Sequence, residues 1–427
     1  CDEFGMYVVD EANIETHGLT PMSLVSDDDA WSHAYVERMS RMVRRDFNHP
    51  SVIIWSLGNE SGCGGNHEAM AAWTRKADPS RPIQYEGGGA DTSVTDIICP
   101  MYARVLDDMP SPYGRPAYSI QHWADLQADL GERARPIILC EYAHAMGNSL
   151  GNFSDYWDAF RTNPRLQGGF IWDWVDQGLT RVSDDSVPYF AYGGDFGDEI
   201  NDRQFCINGL VFPDRTPHPS LFEAKRAQQP FTFTAEIYDR SITLTVTSEY
   251  LFRATDNERL NWRLGSLRET HCDGSRVLEI APQGTQTIVI DTDSALFAEG
   301  ARERSVDLLL DLWITTERGS NALPVGHEIA RSQHVLALAD RTLERETRPA
   351  DILQKGEQLW VVAGDVTWQV STKTGFIMDW ATEGRALLDA PMADCFVRAP
   401  LDNDICSSEV DNPSPKAWLA KWQAAGL

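Results

Sequence analysis

The stretch Val52-Ile53-Ile54-Trp55-Ser56-Leu57-Gly58-Asn59-Glu60 decides how this chain folds. An apolar run breaks at a glycine and delivers an amide and a carboxylate. Such a run reads as a buried strand with Glu60 just past its C-terminal end. Ile137-Ile138-Leu139-Cys140 repeats the pattern and ends in Glu141. In a barrel of parallel strands, the C-terminal ends form the face where active sites lie. Hydrolysis of a glycosidic bond uses two carboxylates flanking that bond. A lone strand-end glutamate is ordinarily solvated or salt-bridged. Two of them, beside Asn59, Tyr142 and His144, leave catalysis and plain surface pairing both open.

Working outward, residues 1–228 alternate apolar strands with amphipathic helices. Strands are expected at Met6–Val9, Val52–Leu57, Pro82–Tyr85, Asp96–Met101, Ile137–Cys140 and Gly169–Trp172. A helix begins near Asp28 and Asp29, sets Trp31, Tyr35, Met39 and Met42 on one face, and ends in Arg41, Arg44 and Arg45. Further helices are expected at Ala69–Lys76 and Phe153–Arg161. Alternating βα units argue for a parallel sheet or barrel. After Thr216-Pro217-His218-Pro219 the period changes to two, as in Phe231/Phe233 and Ile242/Leu244/Val246, with another strand at Val306–Ile314. Residues 229–345 therefore read as a β-sandwich. Residues 346–427, after Arg348-Pro349, carry strands near Leu359–Val362, Thr367–Val370 and Phe376–Trp380 and a last helix at Ala417–Ala425.

The 37 Lys and Arg against 64 Asp and Glu give a net charge of −27 in 427 residues. That charge disfavours nucleic acid and acidic membrane surfaces and suits a neutral substrate. No apolar run reaches the roughly 18 residues a membrane span needs. The cysteines at 1, 63, 99, 140, 206, 272, 395 and 406 show no Cys-x-x-Cys pair, which suits free thiols in a reducing cytoplasm. There is no signal peptide. The chain opens at Cys1 just before a strand, which suggests a fragment.

Other residues carry possible chemistry. Glu15-x-His17 follows the strand ending in Asp10-Glu11 and either binds a hard divalent cation such as Mg²⁺ or Mn²⁺, or caps a loop. Trp172-Asp173-Trp174 offers an indole face for a sugar ring, or barrel core. Tyr102 ends its strand with a hydroxyl able to donate to a carboxylate or to hold structure.

Together these residues identify a resemblance. The segment Asn48-His49-Pro50-Ser51 through Gly58-Asn59-Glu60-Ser61 closely resembles the acid/base signature of family 2 glycoside hydrolases. Asp10 to Gly18, Ile138 to Ser149, Arg203 to Leu210 and Arg398 to Asp404 resemble the large bacterial β-galactosidases of that family. The likeness extends over essentially the whole chain. It implies a (β/α)8 TIM barrel followed by an immunoglobulin-like β-sandwich and the start of a large C-terminal β-sandwich. It implies a retaining double displacement on β-galactosides such as lactose, with Glu141 as nucleophile and Glu60 as acid and then base. Asn59 matches a contact to the sugar 2-hydroxyl, Tyr102 a hydroxyl near the nucleophile, His144 a galactosyl contact and Trp172 a stacking platform. Glu15, His17 and Glu60 match Mg²⁺ ligands, while the Phe205 carbonyl and Asn208 match part of a Na⁺ site. The nucleophile's charge would raise the pKa of Glu60, and a bound cation would lower it.

The family's chains are longer. The resemblance therefore implies that the N-terminal domains, the first two barrel strands and most of the last sandwich are missing here. The segment between Tyr102 and Glu141 reads as a few residues longer than the family pattern. A cytoplasmic homotetramer is the implied parent. Two rival readings are another family 2 specificity such as β-glucuronidase, and a non-catalytic carbohydrate-binding or assembly fragment.

Overall fold

The computed structural model describes residues 1–90, 92–105, 119–238, 241–292, 306–338, 349–395, 398–405 and 417–426. The expected boundary at residues 345–348, Cys406 and residues 106–118 of the segment thought to be lengthened between Tyr102 and Glu141 lie outside them. The chain forms two compact units, Cys1–Ser294 with Leu309–His334, and Ala295–Leu308 with Val335–Leu427.

In the first unit, β1 (Val8–Glu11) pairs in parallel with β2 (Val52–Ser56), and β2 with β3 (Ile83–Gln84). Isolated parallel bridges continue the ladder: Gln84 with Ile97, Ile98 with Ile137, and Met101 with Glu141. They lead to β4 (Ile137–Tyr142), which pairs in parallel with β5 (Leu166–Ile171). Helix α1 (Ser32–Asp46) connects β1 to β2, and α2 (Gly65–Ala77) connects β2 to β3. A short α3 (Ile120–Leu126) precedes β4, and α4 (Phe153–Thr162) connects β4 to β5. This is the right order for consecutive units of a parallel barrel. Every strand in the arc runs the same way, so all its C-terminal ends share one rim.

The core explains the order. Trp55, Leu57, Met39, Met70 and Ile83 are fully buried in one cluster beneath α1 and α2. Ile137, Leu139, Tyr142, Ile120 and Phe153 form a second under α3 and α4. Asp28 caps the turn ahead of α1 by accepting from the Ala30 N–H at 2.9 Å.

Several expectations shift: α2 begins at Gly65, four residues before Ala69, and β5 spans Leu166–Ile171 in place of Gly169–Trp172. The first strand lies two residues later than Met6–Val9, because Met6 and Tyr7 are exposed and their apolar character does not report burial. Trp31 leaves the buried helix face, since it sits in the 3₁₀ turn Asp29–Trp31 before α1. Asp96–Met101 contributes only bridges, and Pro100, which has no N–H to donate, lies inside it.

An antiparallel hairpin, β6 (Leu179–Val182) with β7 (Pro188–Ala191), follows the arc. Helix α5 (Pro219–Ala227) starts with proline in its first turn, where its missing N–H costs nothing. Beyond it, β8 (Phe231–Tyr238), β9 (Ser241–Ser248) and β12 (Thr285–Asp291) make one sheet. A second contains β10 (Glu258–Gly265), β11 (Thr270–Val277), β13 (Leu308–Thr316) and β14 (Glu328–Ala337). Ile242, Leu244 and Val246 alternate inward on β9, as do Leu310, Leu312 and Ile314 on β13. Two sheets each burying one face make a β-sandwich.

The second unit holds a five-stranded antiparallel meander, β15 (Asp351–Lys355), β16 (Gln358–Ala363), β17 (Val366–Ser371), β18 (Ile377–Thr382) and β19 (Arg385–Ala386). Arg398 makes two hydrogen bonds to Asp404, at 2.5 and 3.0 Å. The last helix is Trp418–Ala424.

Candidate active site

The rim at the C-terminal ends of the parallel strands gathers carboxylates. Glu11 ends β1 and accepts from the Ser56 hydroxyl at 2.7 Å. Glu15 and His17 follow in the next loop. Glu60 lies four residues beyond β2, and Glu86 two beyond β3. Glu141 is within β4, one residue from its end. Their convergence follows from the parallel order, which puts the C-terminal ends of these strands and the loops after them on one rim.

Glu15, His17 and Glu60 come together with one potential ligand atom each, all within 4.8 Å of one another. His17 Nδ1 lies 2.8 Å from Glu60 Oε2. A parallel bridge joins Glu15 to Asn59, and the Asn59 side-chain amide donates to Glu15 Oε2 at 3.1 Å. Two carboxylates held this close repel unless a positive charge joins them. One nitrogen and two carboxylate groups suit a divalent cation of the Mg²⁺ or Mn²⁺ kind.

The Tyr102 hydroxyl donates to Glu141 Oε2 at 2.5 Å, and the Tyr102 N–H donates to the Glu141 carbonyl at 2.9 Å. The two residues are thus locked at backbone and side chain. Loss of surrounding water pushes the Glu141 pKa up, and the charges of Glu60 and Glu15 push it further. The tyrosine hydrogen bond and His17 oppose that rise. Burial and the Glu141 charge both drive the Tyr102 hydroxyl well above its ordinary value, so it remains a donor.

The His144 ring centroid lies 5.7 Å from that of Tyr102 and 5.8 Å from that of Phe205. Burial lowers its pKa, so the ring is neutral near pH 7. Trp172 keeps 37% of its surface exposed, and its carbonyl accepts from the Ala145 N–H at 2.8 Å. That bond ties the indole's segment to the loop after Glu141. The buried Asn208 donates its amide to the Phe205 carbonyl at 2.9 Å, while its Oδ1 has no hydrogen-bond partner. An orphaned buried acceptor fits an electropositive partner. Two oxygens, however, are fewer than a hard cation takes.

The structure therefore draws the named residues into three groups: Glu15, Asn59, His17 and Glu60; Tyr102 and Glu141; and His144, Phe205 and Asn208 near Tyr102. Among the described residues no hydrogen bond or ring-to-ring contact joins the Trp172 side chain to these groups, although its backbone does reach the Ala145 loop.

Glu86 escaped the sequence reading. Its carboxylate Oε1 accepts from the Glu60 N–H at 2.7 Å, and Oε2 accepts from the Gly87 N–H. Burial pushes its pKa up to about 7, with the charges of Glu11 and Glu60 adding to the rise. The rule that singled out Glu60 and Glu141, a carboxylate directly after a buried strand, also applies to Glu86 after Ile83-Gln84-Tyr85.

Comparison with known proteins fits this geometry. Residues 1–233 match the family described as glycosyl hydrolases family 2, TIM barrel domain. Residues 244–337 match β-galactosidase, domain 4, and residues 362–427 the β-galactosidase small chain. A β-galactosidase of Aeromonas hydrophila subsp. hydrophila is 53% identical over 427 residues, 100% of this chain and 40% of that protein. One from Klebsiella pneumoniae (strain 342) is 53% identical over 430 residues, again covering 100% and 40%. This chain thus spans about 40% of the length of the curated relatives it matches. Among solved structures, a Bacteroides uniformis β-glucuronidase aligns over 73% of this chain and 37% of that chain. Its 13% identity and TM-score of 0.32 are too low to carry an argument. Among the described residues, no helix is long and apolar enough to cross a membrane.

Proposed function

The chain belongs to glycosyl hydrolase family 2, and on that premise we propose that the protein hydrolyses β-galactosides by a retaining double displacement. A Glu141 oxygen attacks the anomeric carbon while the bond from that carbon to the leaving oxygen breaks. Glu60 gives its proton to that oxygen. Water then attacks the same carbon, Glu60 takes the water's proton, and the bond to Glu141 breaks. The observation carrying this reading is the pairing of unlike carboxylates on one rim. Glu141 is fixed by the Tyr102 hydroxyl at 2.5 Å, and Glu60 is held by His17 at 2.8 Å. Retention needs such groups about 5 Å apart, close enough for the electrostatic coupling they have.

Each neighbour has a task. Tyr102 orients the attacking carboxylate and supports its charge as the second step restores it. Asn59, next to the acid, is positioned for the sugar 2-hydroxyl. Neutral His144 offers a ring nitrogen to another sugar hydroxyl, and the exposed Trp172 indole offers a stacking face. Glu15, His17 and Glu60 would hold Mg²⁺ or Mn²⁺; the bound cation would supply positive charge that tunes the Glu60 proton. The orphaned Asn208 Oδ1 and the Phe205 carbonyl would supply part of a Na⁺ site that draws its other ligands from elsewhere.

Galactoside specificity is supported by the galactosidase relatives and by the site's charge. With Glu11, Glu15, Glu60, Glu86 and Glu141 on one rim, a uronic acid would meet repulsion where a neutral sugar does not. A panel of aryl β-galactoside, β-glucoside and β-glucuronide with the full-length protein tests this. Galactoside kcat/KM should exceed the other two by at least about 100-fold, or about 3 kcal/mol of transition-state discrimination. Preference for the glucuronide would reverse the assignment.

A further inference from the structure

Glu60 adopts φ of +35°, a left-handed backbone that a side chain larger than glycine rarely takes. Such a conformation persists only where neighbouring structure enforces it. On the N-terminal side, the Asn59 N–H donates to the Ile14 carbonyl at 2.9 Å. On the C-terminal side, the Ser26 hydroxyl donates to the Ser61 carbonyl at 2.6 Å, and the Tyr85 hydroxyl to the Gly62 carbonyl at 2.5 Å. At Glu60 itself, the N–H is taken by a carboxylate oxygen of Glu86 at 2.7 Å. The second oxygen of Glu86 takes the Gly87 N–H, so one side chain ties the loop after β2 to the loop after β3. The loops are in close contact: a Cβ on Gly87 would lie 2.3 Å from the Gly62 carbonyl oxygen.

The two carboxyl oxygens of Glu86 thus take two amides, and one of these belongs to the residue whose carboxyl must reach the leaving oxygen. Rotating that peptide plane swings the Glu60 side chain away from both His17 and the substrate. From these contacts we propose that Glu86 is a positioning residue for the acid/base: it sets the backbone of Glu60 and thereby aims its carboxyl at the glycosidic oxygen. This rests on the reading of Glu60 as the proton donor given above. Misplacement of a reacting group by about 1 Å costs about 100-fold in rate.

The test uses the full-length protein and two galactosides, a dinitrophenyl one that needs little protonation and an alkyl one that needs it fully. Glu86→Leu removes the acceptor, while Glu86→Gln keeps a carbonyl oxygen for the Glu60 N–H. Glu86→Leu should lower kcat/KM, which reports the first step alone, by about 100-fold on the alkyl galactoside and by less than about tenfold on the dinitrophenyl galactoside. Glu86→Gln should stay within about fivefold of the parent on both, because the acceptor survives. Equal losses on both substrates in Glu86→Leu overturn the proposal, as does a Gln variant as damaged as the Leu one. If Glu86→Leu does not fold, Glu86→Ala takes its place; failure of both while Glu86→Gln folds assigns Glu86 to stability and overturns the proposal. Glu60→Gln on the same substrates separates the two layers. Leaving-group sensitivity in Glu60→Gln but not in Glu86→Leu refutes the positioning role alone. Its absence in Glu60→Gln refutes the acid assignment, and the positioning role with it.

Discussion

His67 on α2 is completely buried, and neither ring nitrogen has a hydrogen-bond partner. Its ring stacks on Tyr85 at 4.2 Å and meets the edge of Tyr35 at 5.4 Å. Burial holds its pKa down, from 6.5 to about 4, against a weaker opposite pull from Asp27. The folded state therefore keeps His67 neutral where the unfolded chain protonates it. Stability from this site is fully present above about pH 6.5, declines as pH falls, and is lost by about pH 4. The full difference is about 3 kcal/mol, of which about 2 kcal/mol falls between pH 7 and pH 5. Burial pushes the Tyr85 hydroxyl well above its ordinary value, so it stays protonated throughout that range and does not add to it. In His67→Phe, a neutral ring of similar shape fills the same aromatic slot. Urea unfolding followed by tryptophan fluorescence at pH 7, 6 and 5 reads the effect. The parent should lose about 2 kcal/mol more than the variant between pH 7 and pH 5. Parallel pH dependences in parent and variant would refute the argument that His67 is buried neutral.

Two more outcomes follow from close contacts elsewhere in the first unit. In Gly209→Ala the new Cβ would lie 2.2 Å from the Asp176 amide nitrogen and 2.4 Å from the Val175 carbonyl carbon, both backbone atoms. Stability should fall by about 3 kcal/mol, read by thermal unfolding, because backbone cannot swing aside as a side chain can. Glu15→Gln should weaken Mg²⁺ or Mn²⁺ binding more than tenfold in calorimetry, with chelators lowering parent activity and the cation restoring it; an unchanged titration would remove Glu15 from the site.

How much of this was legible depended on what apolar character reported. Along Val52–Leu57 and Ile137–Leu139, apolar character coincides with burial everywhere but at the exposed Ile53 and half-buried Ile138, so the runs point to Glu60 and Glu141. At Met6 and Tyr7 apolar side chains are exposed, so the apolar pattern starts the strand two residues early. The hairpin of β6 and β7 carried no signal, since Leu179, Val182 and Tyr189 face outward and do not alternate with buried neighbours. The sandwich strands were legible because Ile242, Leu244 and Val246 alternate with polar residues at the strand period. Contacts between distant residues were not legible from local pattern. His144 meets Phe205 from 61 positions away, and only the resemblance placed both near one substrate. The backbone of Glu60 is equally hidden, because its left-handed turn is held by contacts with Glu86 and residues of other loops and not by its own residue type.

The central claim is that Glu141 attacks the sugar, and a trapped intermediate tests it most directly. In a 2-deoxy-2-fluoro-β-galactosyl fluoride the C2 fluorine destabilises the oxocarbenium-like transition states of both steps, while the good fluoride leaving group keeps the first fast enough for the glycosyl-enzyme to accumulate. Peptide mass spectrometry of the full-length protein after this treatment should find one fluorogalactosyl group, in the peptide that carries Glu141. Glu141→Gln should take up none. A label on Glu60, on Glu86 or on no residue at all, from a protein that still turns over aryl galactosides, would contradict the account.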